Sequence, residues 1–528
     1  MTDYLKKISE IRNGDLKDFI EVRDPEGIQW LEDQVTAGVL KEFLCYCAIP
    51  HGTYEEKNIV DWFVGRFEEK GWKSYVDQGL NLVCDIPATP GYENVPMMAI
   101  QGHTDMVCAY LEGGSYNPLT DSVNVVIRRD EKSGRLVMSS DGVSSLGADC
   151  GLGNAAALYL LEDETLAHGP VRLILTAKEE IGLVGVKELN PHVLDGVAVM
   201  ANVDGFDCCK IVAGSASGRR VTYGRKIESE EVNQDAGLAT VEISVGGLKG
   251  GHSGFDIHFG RGNAIKILLR VLSEIKKQGG DFRISAINGG IRHNVIPVNA
   301  SAVIVADDKT VALATKVTAE VTGDLTAELA GIDEDVFVIA KGADPVTEIL
   351  TADCQDRMLT LAEGIFSGVY RHMEDMPAVP HTSANLGGIQ CNAAEGGQYE
   401  ISLFERSMGG KLRAEIAELH DKVAAETGFE AILMDGYEPW VFNPENRFLA
   451  LASEEYTKAS GVETEIKVSH VGLEPSVLGE FNGGVEMVCI GTDIIDAHSV
   501  SERVNLDTVK TFTQALRNII QRYSEENK

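Results

Sequence analysis

The chain has 528 residues, more than the length at which one hydrophobic core keeps growing, so two domains are expected. Its formal net charge of -34 argues against nucleic acid as a partner, because such a surface would repel phosphates. No apolar run reaches the roughly 18 residues that a membrane helix needs, and the first residues carry no apolar signal-peptide core. A cytoplasmic location without a membrane span is therefore expected. Ten cysteines without a CxxC pair favour free thiols in a reducing compartment.

The first clear helix is predicted to begin at Thr53 and to end at Gly71. Thr53 and Glu56 have the spacing of a capping box, and glycine commonly ends a helix. Glycine is abundant, with 55 residues, which predicts many tight turns between short elements, as in an α/β enzyme. The apolar face of the predicted helix comprises Ile59, Trp62, Phe63 and Phe67.

Four short apolar runs further along the chain are predicted to be buried strands. Each run is followed by a histidine or by carboxylates, namely His103, Glu179 with Glu180, Asp204 and His498. Open α/β sheets place their active sites at the carboxyl ends of their strands. The pattern therefore predicts one site assembled from distant segments. The runs are 96–101, 171–177, 197–202 and 485–490.

The candidate residues have the chemistry of metal ligands. Asp149, in the glycine-rich segment 146–153, joins the residues at the strand ends. Three carboxylates and two imidazoles around two divalent cations would leave about one positive charge, which a bridging hydroxide would balance. Such a hydroxide would be the nucleophile, since water on the cations has its pKa lowered to roughly 7. Each residue alone is common in a purely structural role, but an apolar run that ends in two glutamates is an unusual surface feature. The predicted ligands are His103, Asp149, Glu180, Asp204 and His498.

These motifs resemble those of the aminoacyl-histidine (Xaa-His) dipeptidases, a branch of the di-zinc peptidase family that includes carnosinases, carboxypeptidase G and aminoacylases. The similar segments occur in the family's order, and the resemblance extends from residue 49 to the C-terminal helix. It implies an α/β fold whose mixed-sheet di-zinc catalytic domain comprises residues 1–213 and 433–528. Residues 214–432 would be an inserted α+β lid and dimerisation domain. The similar segments are 101–107, 146–153, 175–182 and 497–499 with Glu502.

The resemblance also implies a role for each residue of the site. Asp149 would bridge both metals, His103 and Asp204 would complete one coordination sphere, and Glu180 and His498 the other. Asp105 would orient the His103 imidazole with its carboxylate. Glu179 would be the general base that takes a proton from the bridging water and delivers it to the leaving amine.

Three residues of the inserted domain are implied as substrate contacts. His252, in the glycine-rich segment 246–254, would stabilise the tetrahedral oxyanion. In relatives this histidine can come from the partner subunit, which implies a homodimer. Asn294 would contact the substrate, and Arg406 would hold a free C-terminal carboxylate through two hydrogen bonds.

Four positions depart from the family's pattern. Cys150 follows the predicted bridging aspartate where relatives usually have asparagine. A thiol there could perturb metal affinity or become oxidised, and a small buried cysteine without a role in binding is the alternative. Pro475 follows Glu474 where the family has cysteine, Val500 replaces a proline, and Arg292 lies one residue further from Asn294.

The predicted function is that of a cytosolic metallo-dipeptidase that hydrolyses short unblocked peptides, with Xaa-His dipeptides favoured. The expected cofactors are two divalent metal ions, with zinc in first place and cobalt or manganese as alternatives. The expected partners are a small peptide substrate and a second copy of the chain. An N-acyl amino acid deacylase or a small-peptide aminopeptidase on the same site is the alternative. A catalytically silent metal-binding scaffold is the other hypothesis, but it predicts the loss of ligands or of the base, and all of them are present.

Overall fold

The computed structural model describes residues 3–528, apart from the side chain at position 234. The chain forms two compact units. The first comprises residues 3–214, Phe442–Val468 and Leu473–Lys528, and the second comprises Ser215–Val441 and Ser469–Gly472. The second unit extends to Val441, beyond position 432, because its strand Glu430–Tyr437 pairs with Ser217–Lys226.

An eight-stranded mixed sheet organises the described part of the first unit. The four strands that carry the predicted ligands are neighbours in this sheet and are parallel to one another. They are apolar on both faces, as expected of strands that are buried on both sides. The strand order is Lys73–Val76, Leu82–Ile86, Val171–Thr176, Met97–His103, Val197–Gly205, Glu486–Gly491, Lys210–Ser215 and Glu465–Ser469.

A second sheet of five strands and a set of helices complete what is described of the first unit. The order of this sheet is Ile20–Val22, Val125–Arg129, Leu136–Ser140, Arg503–Asn505 and Ile494–Ile495. The helices are Asp3–Asn13, Ile28–Glu32, Gln34–Cys47, Lys57–Lys70, Ala148–Leu161, Val184–Glu188, Arg447–Ser460, Glu474–Phe481 and Leu506–Glu526.

The described residues of the second unit form a nine-stranded sheet with helices. Eight strands follow one another across it, and Gly368–His372 pairs with Pro380–Asn392 beside this path. Two small ladders join Ser229–Glu231 to Glu348–Leu350 and Gly251–His252 to Val295–Ile296. The main order is Phe337–Gly342, Ala239–Gly246, Ala300–Ala306, Phe282–Gly289, Pro380–Asn392, Gln398–Ser407, Ser217–Lys226 and Glu430–Tyr437. The helices are Ala264–Lys277, Asp308–Glu328, Ala352–Gly364 and Gly410–Thr427.

Each unit has a hydrophobic core of its own. The core of the first unit packs the eight-stranded sheet against helices such as Ala148–Leu161 and Leu506–Glu526. The core of the second unit lies between its sheet and helices such as Ala264–Lys277. Each unit therefore buries its apolar faces within itself.

The predicted helix 53–71 is correct at its end and wrong at its start. The helix comprises Lys57–Lys70, and Gly71 ends it with a left-handed φ of 71°. The capping box does not form, because its two side chains bind elsewhere. The Thr53 hydroxyl donates to Asp105 Oδ2 at 2.8 Å, and Glu56 Oε1 accepts the backbone N–H of Lys178 at 3.1 Å.

Candidate metal centre

The parallel strands bring four predicted ligands to one edge of the sheet. His103 is the last residue of its strand, and its register partner Thr176 ends the neighbouring strand. Glu180 follows that neighbouring strand, Asp204 is the next-to-last residue of a third, and His498 follows the fourth. Carboxyl ends of parallel strands meet at the same edge. The sheet therefore assembles residues that lie far apart in the sequence.

Asp149 reaches the same place from the first turn of the helix Ala148–Leu161. Its φ of -81° and ψ of 114° are not helical, and the preceding Gly147 adopts a left-handed φ of 75°. The buried carboxylate of Glu502 accepts the backbone N–H groups of Leu146, Gly147 and Ala148 at 2.8, 3.1 and 2.9 Å. Glu502 therefore holds the turn from which Asp149 projects.

The two oxygens of Asp149 face two different imidazole–carboxylate pairs. Oδ1 lies 3.0 Å from His103 Nε2, which is 3.3 Å from Asp204 Oδ1. Oδ2 lies 2.8 Å from His498 Nε2, which is 3.1 Å from Glu180 Oε2. The arrangement is that of a carboxylate shared by two adjacent sites. The structure thus brings together all five side chains that the sequence predicts as ligands.

The donor atoms of the cluster fit divalent cations. His103 Nδ1 donates to the carbonyl oxygen of Asp105 at 2.9 Å, which leaves the lone pair of Nε2 directed at the carboxylates. Asp204 Oδ1 and Glu180 Oε1 are buried and accept no hydrogen bond from any described residue. Buried carboxylate oxygens without a donor are costly unless a cation compensates them. Imidazole nitrogens with carboxylate oxygens are ligands that suit zinc and similar metals.

The electrostatics of the cluster also indicate a place for positive charge. Burial and the charge of Asp149 raise the pKa of Asp204 to about 8 and raise the pKa of Glu180. Burial alone would lower the pKa of His103, but the charge of Asp204 and hydrogen bonds to carboxylates raise it well above its usual value. Burial likewise opposes the protonation of His498, yet its bonds to Asp149 and Glu180 raise the pKa to about 11. The negative charges of these buried carboxylates thus favour the binding of cations within the cluster.

Asp105 contacts His103 in a way that differs from the predicted one. The hydrogen bond to His103 Nδ1 comes from the backbone oxygen of Asp105, whereas the nearest carboxylate oxygen is 3.6 Å away. The carboxylate instead accepts the backbone N–H groups of Glu179 at 2.9 Å and Glu180 at 3.3 Å. Together with the bond from Thr53, these contacts fix the loop that carries both glutamates.

Glu179, the predicted general base, has a carboxyl whose pKa is raised. Burial raises the pKa of its carboxyl well above the usual value, and the charges of Glu180 and Asp204 add to this effect. A carboxylate with a raised pKa accepts a proton near neutral pH more readily than an ordinary one.

Glu474 is a member of the site to which sequence reasoning gave no role. It is fully buried, and its Oε2 accepts hydrogen bonds from Gln101 Nε2 at 2.5 Å and Thr176 Oγ1 at 2.8 Å. Burial raises its pKa to about 7. Pro475 at the first turn of the helix Glu474–Phe481 is the sequence signal that places this carboxylate at a helix start.

The three predicted substrate contacts all lie in the second unit. His252 belongs to a short strand that pairs with Val295–Ile296, and its Nδ1 accepts the backbone N–H groups of Gly254 and Phe255, both at 3.2 Å. Nδ1 is therefore the acceptor, and Nε2 carries the proton. The backbone oxygen of Asn294 accepts the N–H of Ser253 at 2.8 Å, so Asn294 lies close to this strand.

Arg406 lies in the strand Gln398–Ser407 of the second unit. Its side chain is buried, with Nη1 3.4 Å from the hydroxyl of Tyr437 and the guanidinium 4.1 Å from the centre of the Phe404 ring. Its Nε has no hydrogen-bond partner among the described residues, and burial lowers its pKa. A buried guanidinium with an unused donor is suited to bind an anion.

Comparisons with known proteins identify the class and then the family. Residues 238–333, within the second unit, match the model of a peptidase dimerisation domain, M20_dimer. The chain is 30% identical over 481 residues to the cytosol non-specific dipeptidase of Escherichia coli (strain K12), which covers 90% of this chain and 96% of that protein. The protein is thus a metallopeptidase, and it belongs to the M20 family together with that dipeptidase.

Solved structures agree with this assignment. The aminoacylhistidine dipeptidase of Vibrio alginolyticus superposes with a TM-score of 0.77 at 26% identity, over 94% of this chain and 99% of that one. A tripeptidase of Staphylococcus aureus has a TM-score of 0.51 at 17% identity, over 93% and 98% of the two chains, and shows a common fold alone. The family resemblance and the mixed α/β fold predicted from the motifs are confirmed. None of the described helices is long and apolar enough to cross a membrane.

Proposed function

We propose that this chain hydrolyses dipeptides with a free N-terminus at a centre that holds two divalent cations. The proposal rests on the geometry of Asp149. One of its carboxylate oxygens faces His103 and Asp204, and the other faces His498 and Glu180. The names of the relatives in Escherichia coli and Vibrio alginolyticus, both dipeptidases, support this substrate class. The Escherichia coli relative is named a cytosol dipeptidase, which supports a cytosolic location for this chain.

The cations would be held by the two pairs with Asp149 between them. Zinc is the first candidate, and cobalt or manganese would suit the same nitrogen and oxygen donors. When bound, such cations would polarise the scissile carbonyl and lower the pKa of the attacking water. Glu502 would keep Asp149 in the bridging position through its hold on the turn 146–148.

Glu179 would act as the general base of the reaction. It takes a proton from the attacking water and later delivers it to the nitrogen of the leaving amine, so that the carboxylate is regenerated. The raised pKa of its carboxyl supports this assignment, because a carboxylate with a raised pKa takes up a proton more readily than an ordinary one. Asp105 would be a positioning residue, since its carboxylate binds the backbone of Glu179 and Glu180.

The second unit would supply substrate recognition and the dimer interface, as a lid and dimerisation domain. Arg406 would bind the C-terminal carboxylate of the dipeptide through its unused donor. His252 would donate from Nε2 to the oxyanion, and Asn294 would contact the peptide. The match to a peptidase dimerisation domain supports a homodimer, in which His252 acts on the site of the partner subunit.

Hydrolysis of a small substrate panel tests the proposal. The panel consists of Ala-His, β-Ala-His, Gly-Gly, a tripeptide and N-acetyl-alanine, offered to protein loaded with zinc, cobalt or manganese. We expect metal-dependent cleavage of the free dipeptides, with Xaa-His favoured. Cleavage of N-acetyl-alanine alone would instead assign an N-acyl amino acid deacylase, and preference for the tripeptide a small-peptide aminopeptidase.

The variant Glu179→Gln links this activity to the proposed base within the same experiment. It should retain both metals and lose about two to four orders of magnitude in turnover. Glu112→Gln, at an exposed glutamate, is the matched control and should behave like the wild type. Turnover at the wild-type level in Glu179→Gln would remove Glu179 from the mechanism.

A further inference from the structure

The thiol of Cys150 lies beside one half of the metal centre. Its sulfur, one nitrogen of His103 and one carboxylate oxygen of Asp204 all lie within 4.8 Å of one another. Cys150 is buried, with 1% of its surface exposed. All three groups are therefore together in a place that solvent does not fill.

The backbone holds the sulfur between the two strands that carry these ligands. Cys150 Sγ is 3.5 Å from the carbonyl oxygen of Val203, the residue before Asp204. On the other side, a Cβ added to Gly102, the residue before His103, would lie 2.8 Å from the same sulfur. The thiol thus packs against the strand ends from which both ligands project.

An independent observation indicates that this half of the centre needs a cation. The side chain of Asp204 is 7% exposed, and its Oδ1 accepts no hydrogen bond from the part of the chain that the structure describes. A cation with one sulfur and two lighter ligands, at about 2.0–2.3 Å, holds them about 3.5 Å apart. The three atoms lie within 4.8 Å of one another, so no pair exceeds that separation by more than about 1.3 Å.

We propose that the sulfur of Cys150 is a further ligand of the cation held by His103 and Asp204. The inference rests on the proposed metal centre and deepens it. On binding, the S–H bond breaks, its proton leaves to solvent, and a sulfur lone pair forms the bond to the cation, without electron transfer. The hydrogen bond to Val203 is given up.

A sulfur ligand on one side makes the two halves of the centre chemically different. The half with His498 and Glu180 offers nitrogen and oxygen donors, whereas the half with Cys150 also offers a soft donor. Thiolates favour zinc and cadmium over manganese. The chain should therefore prefer the softer cations in the first half and accept harder ones in the second.

Cobalt(II) substitution tests the ligand directly, without an activity assay. The purified full chain is stripped with a chelator, loaded with cobalt(II), and its absorption spectrum is recorded. We expect visible d–d bands together with a near-ultraviolet sulfur-to-cobalt charge-transfer band. Cys150→Asn should lose the second band and keep the first. Cys108→Ser is the control and should keep both, since Cys108 is a half-buried cysteine outside the cluster of Cys150, His103 and Asp204.

The outcomes separate this proposal from the proposed function. Visible bands without the charge-transfer band, or a band that persists in Cys150→Asn, would overturn the sulfur ligand and leave the metal centre intact. Failure to bind cobalt at all would overturn the metal centre itself. Zinc-edge X-ray absorption of the wild type needs no variant and should show a sulfur neighbour at about 2.3 Å. Competition should show that Cys150→Asn loses at least about tenfold of the cadmium-over-manganese preference, about 1.4 kcal/mol.

Discussion

Glu474 is a buried carboxyl whose hydrogen bonds come from Gln101 and Thr176, and the charge of the predicted ligand His103 acts on its pKa. It is fully buried beneath Gln101 and Thr176, and its Oε1 has no hydrogen-bond partner among the residues described. Burial is the largest cause that raises its pKa to about 7. An unfolded glutamate has a pKa of about 4.3, so the folded chain binds the proton more tightly.

This difference gives the metal-free protein a defined dependence on pH. Between about pH 4.3 and 7 the folded state holds a proton that the unfolded state has lost, so stability falls as the pH rises. Glu474 therefore contributes most below pH 4.3, and about 4 kcal/mol is lost by pH 8. Glu474→Gln carries no such proton. Its melting temperature relative to the wild type should rise between pH 5 and 8, measured in chelator, and a constant difference would contradict the shifted pKa.

The sequence indicated which side chains lie at the candidate metal centre, but it did not indicate which groups they hydrogen-bond. The convergence of the five candidate ligands could be predicted, because four lie at or beyond strand ends and Asp149 lies in a glycine-rich turn. The hydrogen bonds of Asp105 could not, because its carboxylate binds backbone groups of Glu179 and Glu180 more than 70 positions away. The same holds for Thr53. The sequence predicts that its hydroxyl caps the following helix, whereas in the structure the hydroxyl donates to Asp105.

At the scale of elements, two strands that carry the site approach each other through glycines. Gly205 and Gly491 are register partners at the ends of the strands Val197–Gly205 and Glu486–Gly491. A Cβ at Gly491 would lie 1.8 Å from the carbonyl oxygen of Gly205, which is a backbone atom and cannot rotate away. Only glycine at this position allows the strand that carries Asp204 to keep its place.

The variant Gly491→Ala should therefore destabilise the first unit. Overpacking of this kind costs about 1–3 kcal/mol, because the strand must shift. Gly65→Ala is the control, since Gly65 lies in the helix Lys57–Lys70 and its added Cβ would meet nothing within 4 Å. That change should instead stabilise by about 0.5–1 kcal/mol. Thermal unfolding with metal bound measures both, and equal effects would show that the strand contact is unimportant.

The elements themselves divide into those with a local signal and those without. The four buried strands were predictable within two or three residues, because short continuous apolar runs with polar ends are typical of strands buried on both faces. The start of the helix Lys57–Lys70 was not, because the residues of the apparent capping box are used by the site. Tertiary contacts thus override local preference where a functional group needs the side chain.

At the scale of the whole molecule, the first unit consists of three separate segments of the sequence, and the proposed metal ligands come from more than one of them. Its ligands run from His103 to His498, and the entire described second unit interrupts the sequence between Asp204 and His498. The length predicted two domains, but the end of the insertion needed the structure. The strand Glu430–Tyr437 continues the second sheet past position 432, and nothing in its local sequence assigns it to one unit or the other.

The division into two units predicts which residues metal removal should destabilise. All five proposed ligands belong to the first unit, so chelation leaves buried carboxylates to repel one another there. A ligand at 100 times its dissociation constant stabilises its folded site by about 2.7 kcal/mol, which corresponds to about 100-fold slower exchange through opening. Hydrogen exchange in chelator should therefore accelerate in residues 146–161 and 197–205.

The sheet of the second unit provides the internal control for the same measurement. Exchange in Phe282–Gly289 and Ala300–Ala306 should stay unchanged on chelation, because their ladder hydrogen bonds and core lie within that unit. Readdition of zinc should restore protection in the first unit only. Equal acceleration in both units would show that the metals stabilise the chain as one cooperative body, and no change in either would contradict the metal centre.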